Sequence, residues 1–358
     1  MTVAEHDGIG SDATSGAGAA GEGSGSHGVL VTLLRIFCLT AVVLVIPFLI
    51  NNYLIVWRGW PEGPVLLADL GWFGFKAPAA GEMGLEAAIQ LCLYLGIILA
   101  VVAYALSTRK MRLSVDADRL SAVSAYIVRG AFWAVFLIGL ADMTISMLRV
   151  EDFLPGVVGD DLATQLGRAN FRGAVVHYPL IGLAYVIAFF TRSLGFIWLA
   201  VLIVGAEFLI VISRFVFSYE QAYMGDLVRF WYAALFLFAS SYTLIHEGHV
   251  RVDIFYTRFS ERGKAWTNLV GSLILGMPLC WIILTRGLWG RANVVNAPLL
   301  SFEVTQSGYG MYVKYFMASF LIVYAVSMLV QFGSYVLSSA AVLANEPHPD
   351  PEKHSDAL

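Results

Sequence analysis

The chain has 358 residues, of which 58% are hydrophobic and only 13% are charged, and its formal net charge is −4. Soluble proteins carry about 25% charged residues, so this composition excludes an ordinary soluble domain and favours a protein embedded in a bilayer. The slightly acidic balance also excludes a polyanion-binding protein, so no nucleic-acid partner is expected.

The cysteines and short motifs give no sign of catalysis. Cys38, Cys92 and Cys280 each lie inside an apolar run and far from one another, which favours small core residues over disulfide partners or metal ligands. The sequence contains no CxxC, no HExxH and no phosphate-binding GxxxxGK[ST] motif. We therefore predict no catalytic, cofactor-binding or metal-binding residues, and a protein that is not an enzyme.

The first 28 residues are rich in Gly, Ala and Ser, and they predict a disordered cytosolic tail. The first apolar run lies too deep in the chain for a cleaved signal peptide, so it is expected to stay as a membrane anchor. At the other end, residues 341–358 are mostly polar and contain three prolines, and they predict a cytosolic C-terminal tail.

Between these tails the sequence predicts an all-α, polytopic membrane helix bundle. A helix that crosses a bilayer needs about 20 mostly apolar residues, and eight segments meet that requirement. They are roughly Val29–Trp57, Leu85–Leu106, Ala125–Leu148, Val175–Phe190, Leu194–Phe217, Val228–Ile245, Trp266–Leu288 and Tyr312–Leu337. The fourth is short and carries Pro179, so a re-entrant or kinked element is an alternative there, although the distribution of positive charge favours a full span.

Lysines and arginines in short loops predict the orientation. The basic residues between spans two and three and between spans six and seven are Arg109, Lys110, Arg112, Arg119, Arg251, Arg258, Arg262 and Lys264. With eight spans these loops share one face, so we predict that both termini lie in the cytoplasm. The loop between spans three and four, which contains Arg172, then lies outside, and Asp160–Arg168 in it predicts a short surface helix because acids precede a base.

Ionisable residues inside spans are costly in lipid and are therefore functional candidates. Arg35 and Arg129 lie near the inner ends of spans one and three, where their side chains are expected to reach the headgroups. Asp142 lies in the outer half of span three and Glu207 near the middle of span five. For Glu207 we favour a structural hydrogen bond to a neighbouring helix, and binding of a coupling ion is the alternative.

Histidines raise the alternative of a membrane cytochrome, in which two His side chains on facing helices hold a haem. His177 lies at the outer end of span four, whereas His246 and His249 lie at the inner end of span six. Residues at opposite faces cannot clamp one macrocycle, so no haem or other cofactor is predicted.

The densest polar stretch between two apolar segments is His246–Lys264, with the sequence HEGHVRVDIFYTRFSERGK. In its first half Val250, Val252 and Ile254 alternate with His249, Arg251 and Asp253. Such alternation is typical of an extended or interfacial segment with one apolar and one charged edge. Taken on its residues alone, the stretch is a cytosolic loop that sets the membrane orientation.

This stretch, from His249–Ile254 to Ala265–Trp266, also resembles the signature loop of the small membrane subunit of tripartite ATP-independent periplasmic (TRAP) transporters. The similarity extends from about residue 194 to residue 337. It includes the arginine–aromatic end of span five at Arg214, and an outer loop with Glu303, Ser307, Gly308, Gly310, Tyr312 and Lys314 that is close to the mannitol/chloroaromatic-type branch.

The chain departs from the family pattern in two places. Phe302 stands where a tryptophan is expected. The usual small subunit has four spans, so residues 29–192 would be an N-terminal four-span extension and residues 193–340 the small-subunit-like domain.

The resemblance implies a DctQ-like small permease subunit in a bacterial inner membrane. Its partners would be a large, DctM-like permease subunit, a periplasmic, DctP-like solute-binding protein and membrane lipid. The system would use a sodium gradient to take up an organic acid or related solute, with the small subunit bracing the large one. The candidate interface or structural residues are His249, Arg251, Asp253, Glu207, Arg214, Glu303, Ser307 and Lys314.

Two other functions remain open on sequence alone. The chain could be the membrane anchor of a redox or quinone-linked complex, which predicts a visible absorption band from a bound cofactor. It could also be a self-sufficient secondary transporter with two four-helix halves, although the sequence shows no internal repeat.

Overall fold

The computed structural model describes residues 28–61, 85–192, 195–245, 256, 258–304 and 310–346. Within these ranges the chain is helical apart from turns and short connections, and it forms no β-strand. Residues 1–27 and 347–358, which make up most of the two predicted tails, lie outside them. The prediction of an all-α fold is confirmed for the described part of the chain.

Eight helices among the described residues are long and apolar enough to cross a membrane, which confirms the predicted number. We number them spans one to eight: Val29–Arg58, Leu85–Ser107, Leu113–Val150, Ala169–Phe190, Phe196–Phe217, Ala222–Leu244, Glu261–Leu288 and Lys314–Leu343. The connections contain the shorter helices Leu154–Val158, Asp160–Leu166 and Asn296–Ser301. The second of these lies where the sequence predicts a short helix, while the orientation of the bundle stays a prediction.

Three spans are built from more than one segment. These are Val29–Val43 and Val45–Arg58 in span one, Ala169–Arg172, Gly173–His177 and Tyr178–Phe190 in span four, and Glu261–Val270, Gly271–Gly276 and Met277–Leu288 in span seven. The middle segments of spans four and seven are π-helical, and each ends just before Pro179 or Pro278. Proline has no amide hydrogen and its ring crowds the preceding turn, so the helix widens there. Pro179 therefore distorts span four but does not end it.

Span three begins earlier than its apolar run predicts, at Leu113 instead of Ala125. The carboxylate of Glu346, just beyond span eight, accepts hydrogen bonds from the backbone N–H groups of Leu113 (3.0 Å) and Ser114 (3.4 Å). N–H groups in the first turn of a helix have no partner within the helix, and a negative charge is favourable at that end. Arg119, which the sequence places in a loop, consequently lies inside span three.

Spans three and eight form the centre of the bundle and pack most extensively against each other. One apolar core of the described residues joins spans one, seven and eight, and another joins spans three, five, six and eight. At the crossing of spans three and six, a Cβ atom on Gly139 would lie 2.4 Å from the indole nitrogen of Trp231. Small residues allow such close helix crossings in membrane proteins. The first four spans are thus packed directly against the last four.

A buried ion pair joins spans one and three near the predicted inner face. Arg35 is 2% exposed and Asp116 is 3% exposed, and the guanidinium donates from Nε (2.8 Å) and approaches from Nη2 (2.7 Å) to the same carboxylate oxygen. The guanidinium of Arg35 also donates to the backbone oxygen and the hydroxyl of Thr108, both at 2.9 Å. The expectation that Arg35 reaches the headgroups is therefore wrong, because the carboxylate of Asp116 on span three pairs with it inside the protein.

Candidate partner-binding surfaces

A second buried ion pair lies at the predicted outer end of the bundle. Asp142 of span three and Arg172 of span four are both fully buried, and Arg172 Nη1 lies 2.9 Å from Asp142 Oδ1. The same nitrogen donates to the hydroxyl of Ser146 at 3.1 Å, and Nε donates to the backbone oxygen of Leu166 at 2.9 Å. A buried charge is tolerated only when it is paired and hydrogen-bonded. This pair therefore fixes the outer ends of spans three and four relative to each other.

His177 and Tyr315 extend the ion pair to span eight. The fully buried imidazole contacts Asp142 Oδ1 through Nε2 at 3.1 Å, and its Nδ1 lies 2.7 Å from the hydroxyl of Tyr315. Tyr315 is also fully buried. The π-helical turn of span four ends at His177, so the irregular backbone positions this imidazole between the two partners. We define the outer cluster as Asp142, Ser146, Arg172, His177 and Tyr315.

The outer cluster holds the segment that leads into span eight. The second oxygen of Asp142 accepts a hydrogen bond from the backbone N–H of Tyr312 at 2.7 Å. One residue earlier, Asp226 of span six accepts from the backbone N–H of Met311 at 3.0 Å. Two carboxylates from different spans thus satisfy consecutive N–H groups of a non-helical segment, which would otherwise be costly to bury. Spans three and six therefore fix the position of the segment that precedes span eight.

The ring of Tyr312 lies between two arginines. The guanidinium carbon of Arg172 is 4.2 Å from the ring centroid and that of Arg149 is 4.7 Å from it. Nη2 of Arg172 has no hydrogen-bond partner among the described residues. The cation–π contact with the Tyr312 ring compensates for this missing hydrogen bond. The Tyr312 hydroxyl donates to the backbone oxygen of Gly167 at 3.0 Å. Tyr312 therefore ties the segment before span eight to the connection between spans three and four.

Phe302 covers the outer cluster from the side. A Cβ atom on Gly173 would lie 2.5 Å from a carbon of the Phe302 ring and 2.8 Å from the hydroxyl of Tyr315, so only glycine leaves room for this contact. The rings of Phe302 and Tyr315 meet edge to face with centroids 5.1 Å apart. Phe302, which departs from the family pattern in the sequence, is thus part of the packing around the cluster.

Two of the predicted outer-loop residues are brought together at the surface. Lys314 Nζ lies 2.6 Å from Glu303 Oε1, and both side chains remain partly exposed. Immediately beside them, the N–H of Tyr315 donates to the backbone oxygen of Glu303 at 2.9 Å. Ser307, the third predicted residue of this loop, lies outside the described residues. The exposed pair is therefore attached directly to the buried outer cluster.

The connection between spans five and six is also tied to span three. The hydroxyl of Tyr219 is hydrogen-bonded to the carboxylate of Glu151, with the hydroxyl of Tyr223 3.3 Å away. Burial, together with these hydrogen bonds, raises the pKa of Tyr219 well above the ordinary value of a phenol. A phenol is protonated at neutral pH and the raised pKa adds to this, so the hydroxyl donates to Glu151.

Span five presents the remaining predicted residues at its surface. Arg214 is exposed near the outer end and pairs with Glu220, with Nε 3.3 Å from Oε2. Glu207 is exposed in the middle of the span. The expected hydrogen bond from Glu207 to a neighbouring helix of the same chain does not occur among the described residues, because the side chain faces away from the bundle.

The inner loop with His249, Arg251 and Asp253 lies outside the described residues. The beginning of span seven, after this loop, is anchored at the inner face. Ser260 caps the helix by accepting from the N–H of Gly263 at 3.2 Å, and Arg262 donates to the side-chain oxygen of Asn345 at 3.0 Å. Among the described residues no group of three or more His, Cys, Asp or Glu side chains is placed to hold a metal ion.

Sequence reasoning identifies Asp142 as a candidate but misses the outer cluster around it. Apolar content alone starts span four at residue 175, which leaves Arg172 in a loop and His177 at the end of a span. The available signal is the coincidence of an acid, a base and a histidine at the same predicted membrane face. Three ionisable residues at one depth on adjacent spans are candidates for a buried network.

Comparison with known families identifies the second half of the chain. Residues 200–340 match the family of tripartite ATP-independent periplasmic transporters, DctQ component. These residues form a DctQ domain. The match covers spans six to eight and most of span five, together with the exposed Glu303–Lys314 pair. No curated protein and no solved structure matches the chain.

The DctQ domain confirms the family resemblance over the second half of the chain. The DctQ component is part of a transporter, which agrees with the prediction that the chain is not an enzyme. Tyr315 and the Tyr312 segment belong to the DctQ domain, whereas Asp142, Arg172 and His177 precede it. The outer cluster is therefore one of the places where the first half of the chain binds the DctQ domain.

Proposed function

We propose that this protein is the small membrane subunit of a TRAP transporter, and that it braces a large permease subunit without performing chemistry. The transporter would use a sodium gradient to take up an organic acid or a related solute that a periplasmic binding protein delivers. The observation that carries the proposal is the DctQ domain over residues 200–340. The outer-loop spacing from Glu303 to Lys314 is the reason to propose the mannitol/chloroaromatic-type branch.

The distribution of polar groups in the bundle supports a bracing role. Among the described residues, two networks around the buried pairs Arg35–Asp116 and Asp142–Arg172 each tie helices of this chain together, and the buried Asp226 accepts a hydrogen bond from the backbone N–H of Met311. Closed networks of this kind fix helix positions, whereas a transport site needs polar groups that are free to bind an ion or solute. The buried charged groups that the structure describes therefore hold helices and connections of this chain in place.

The outer surface supports the proposed contact with partner proteins. Glu303 and Lys314 are partly exposed, and the backbone beside them is fixed through Tyr312 and Tyr315 to the outer cluster. A preorganised surface loses less conformational entropy on binding than a free loop. We propose that this pair, with Ser307, contacts the binding protein or the outer end of the large subunit.

At the inner face we propose that Arg251 and Asp253 fix the loop between spans six and seven, through a charge pair or through lipid headgroups, with His249 as an interfacial hydrogen bonder. This proposal includes the predicted orientation, with both termini in the cytoplasm of a bacterial cell. Arg251→Ala is expected to weaken assembly with the large subunit. Co-purification of the large subunit unchanged from wild type would refute that role.

The first four spans are proposed to be an extension that enlarges the brace. Span three of this extension packs extensively against spans six and eight, and the outer cluster links it to the DctQ domain. The extension would thus stiffen the DctQ domain from one side while the opposite side contacts the large subunit.

Co-purification tests the proposal. The full chain carries an affinity tag and is expressed alone or together with the large membrane subunit of the same transporter. We expect the large subunit to be retained at a stoichiometric level in mild detergent, and the chain alone to transport nothing after reconstitution. A pure chain that transports solute, or a large subunit that washes away completely, would overturn the proposal.

A further inference from the structure

Span five is attached to the bundle by one side only. Of the eight candidate spans it has the smallest share of buried residues in its apolar stretch, and its main neighbour is span six. Along the free side Val204 is 69% exposed, Phe208 is 64% exposed and Val211 is 49% exposed. We call the surface formed by Val204, Glu207, Phe208 and Val211 the free face of span five.

The free face contains a carboxylate at the depth where a bilayer is least polar. At a rise of about 1.5 Å per residue, Glu207 lies about 16 Å from either end of the helix Phe196–Phe217. Its side chain is exposed, and no other described residue donates a hydrogen bond to it or pairs with it. Arg214, the nearest cation along the helix, is about two turns away and is already paired with Glu220.

Lipid alone is a poor neighbour for this surface. Ionisable side chains in membrane helices normally face the interior of a bundle and pair with another group, because hydrocarbon offers no hydrogen-bond partner.

A second copy of this chain is also an unfavourable partner for the free face. A two-fold symmetric contact through the free face would place two Glu207 carboxylates opposite each other, which is unfavourable for like charges.

We propose that the free face of span five binds a transmembrane helix of the large permease subunit, and that this helix carries a hydrogen-bond donor opposite Glu207. This inference rests on the proposed function and identifies the contact within it. Val204, Phe208 and Val211 lie on the same side of the helix as Glu207, so a helix that packs against these exposed side chains also reaches the carboxylate. Polar side chains hydrogen-bond across such helix interfaces in membranes.

Variants of Glu207 test the polar contact. Glu207→Gln preserves the size and hydrogen-bonding capacity of the side chain, so it should retain the large subunit within about twofold of wild type. Glu207→Leu removes the acceptor for the proposed donor on the large subunit. The amount of large subunit retained should then fall about tenfold, which is the size expected for one hydrogen bond to a charged group. Both variants should be monodisperse in detergent, since the side chain has no contact within its own chain.

Photo-crosslinking tests the location of the contact. A benzoylphenylalanine replaces either Val204 or Phe208 on the free face, or Ile274 near the middle of span seven as an exposed control. Irradiation of membranes that contain both subunits should give an adduct with the large subunit from the free face and none from span seven. Peptide mapping should place the adduct on a helix with a polar residue at mid-depth.

The outcomes separate this inference from the proposed function. If the large subunit co-purifies with wild type but Glu207→Leu retains it equally well, or the free face gives no protein adduct, the inference fails while the proposed function stands. Adducts between two copies of the chain would also overturn it. If the large subunit does not co-purify with wild type at all, both fail together.

Discussion

Removing the carboxylate of Asp142 should destabilise the bundle strongly, because this side chain satisfies three donors in a fully buried position. It accepts from Arg172 at 2.9 Å, from the backbone of Tyr312 at 2.7 Å, and contacts the imidazole of His177 at 3.1 Å. Asp142→Ala leaves the guanidinium of Arg172 buried and without its counter-charge. Breaking a buried ion pair on one side costs about 3–5 kcal/mol, which lowers the folding equilibrium constant roughly a hundredfold to several thousandfold.

Removing both charges of the Asp142–Arg172 pair should be less harmful than removing one. In the double variant Asp142→Leu with Arg172→Met, no unpaired charge remains in the core. Replacement of a buried pair by apolar residues is often close to neutral. The double variant should therefore be more stable than either matched single variant, Asp142→Leu or Arg172→Met, and the two effects should be non-additive by more than about 2 kcal/mol in a double-mutant cycle.

The assay is unfolding of the purified chain in mixed micelles of rising denaturing-detergent content, followed by tryptophan fluorescence. Asp161→Asn serves as the control, because it removes a carboxylate of the same outer region that is exposed. It should change the free energy of unfolding by no more than about 0.5 kcal/mol. A single variant as stable as Asp161→Asn, or single effects that simply add in the double variant, would refute the account of the outer cluster.

Three further substitutions probe other contacts. Gly173→Ala inserts a Cβ atom 2.5 Å from the Phe302 ring, so a loss of about 1–3 kcal/mol is expected in the same unfolding assay, and an unchanged midpoint would contradict the close contact. Arg35→Met leaves the buried Asp116 with only the exposed Arg119, 3.8 Å away, as a counter-charge and should cost about 3 kcal/mol. A neutral effect would show that the pair is open to water. Lys314→Met removes the partly exposed Glu303–Lys314 pair and should change the free energy of unfolding by less than about 1 kcal/mol. It should nevertheless reduce uptake that depends on the binding protein. Uptake at the wild-type level would show that Lys314 is not part of the proposed contact.

Much of the fold could be predicted because the bilayer imposes simple requirements on a sequence. Apolar length alone locates eight spans, since every spanning backbone segment must satisfy its hydrogen bonds internally. Pro179 correctly marks an irregular span four, and the acid-to-base pattern after residue 159 correctly marks a short helix. These features depend on neighbouring residues, which the sequence displays directly.

Contacts between distant residues explain what could not be predicted. Span three starts at Leu113 because Glu346, more than two hundred residues away, caps it. Arg35 is buried because Asp116 lies opposite, and an isolated arginine near the end of an apolar run gives no sign of such a partner. Composition shows that a residue lies in a span but not on which side of the helix its neighbours pack.

Glu207 illustrates this limit most clearly. Its position within an apolar run favours a partner inside the chain, yet the helix turns it outward. Nearly the whole of span five is apolar, so the sequence contains no polar stripe that would distinguish a free side from a packed side.

The most direct test of the central claim is solute uptake by proteoliposomes that contain the large permease subunit alone, this chain alone, or both, with the binding protein and an inward sodium gradient. We predict uptake only when both membrane subunits are present, and no uptake by this chain alone. Uptake by this chain without its partner, or full uptake by the large subunit without this chain, would contradict its role as a non-catalytic brace.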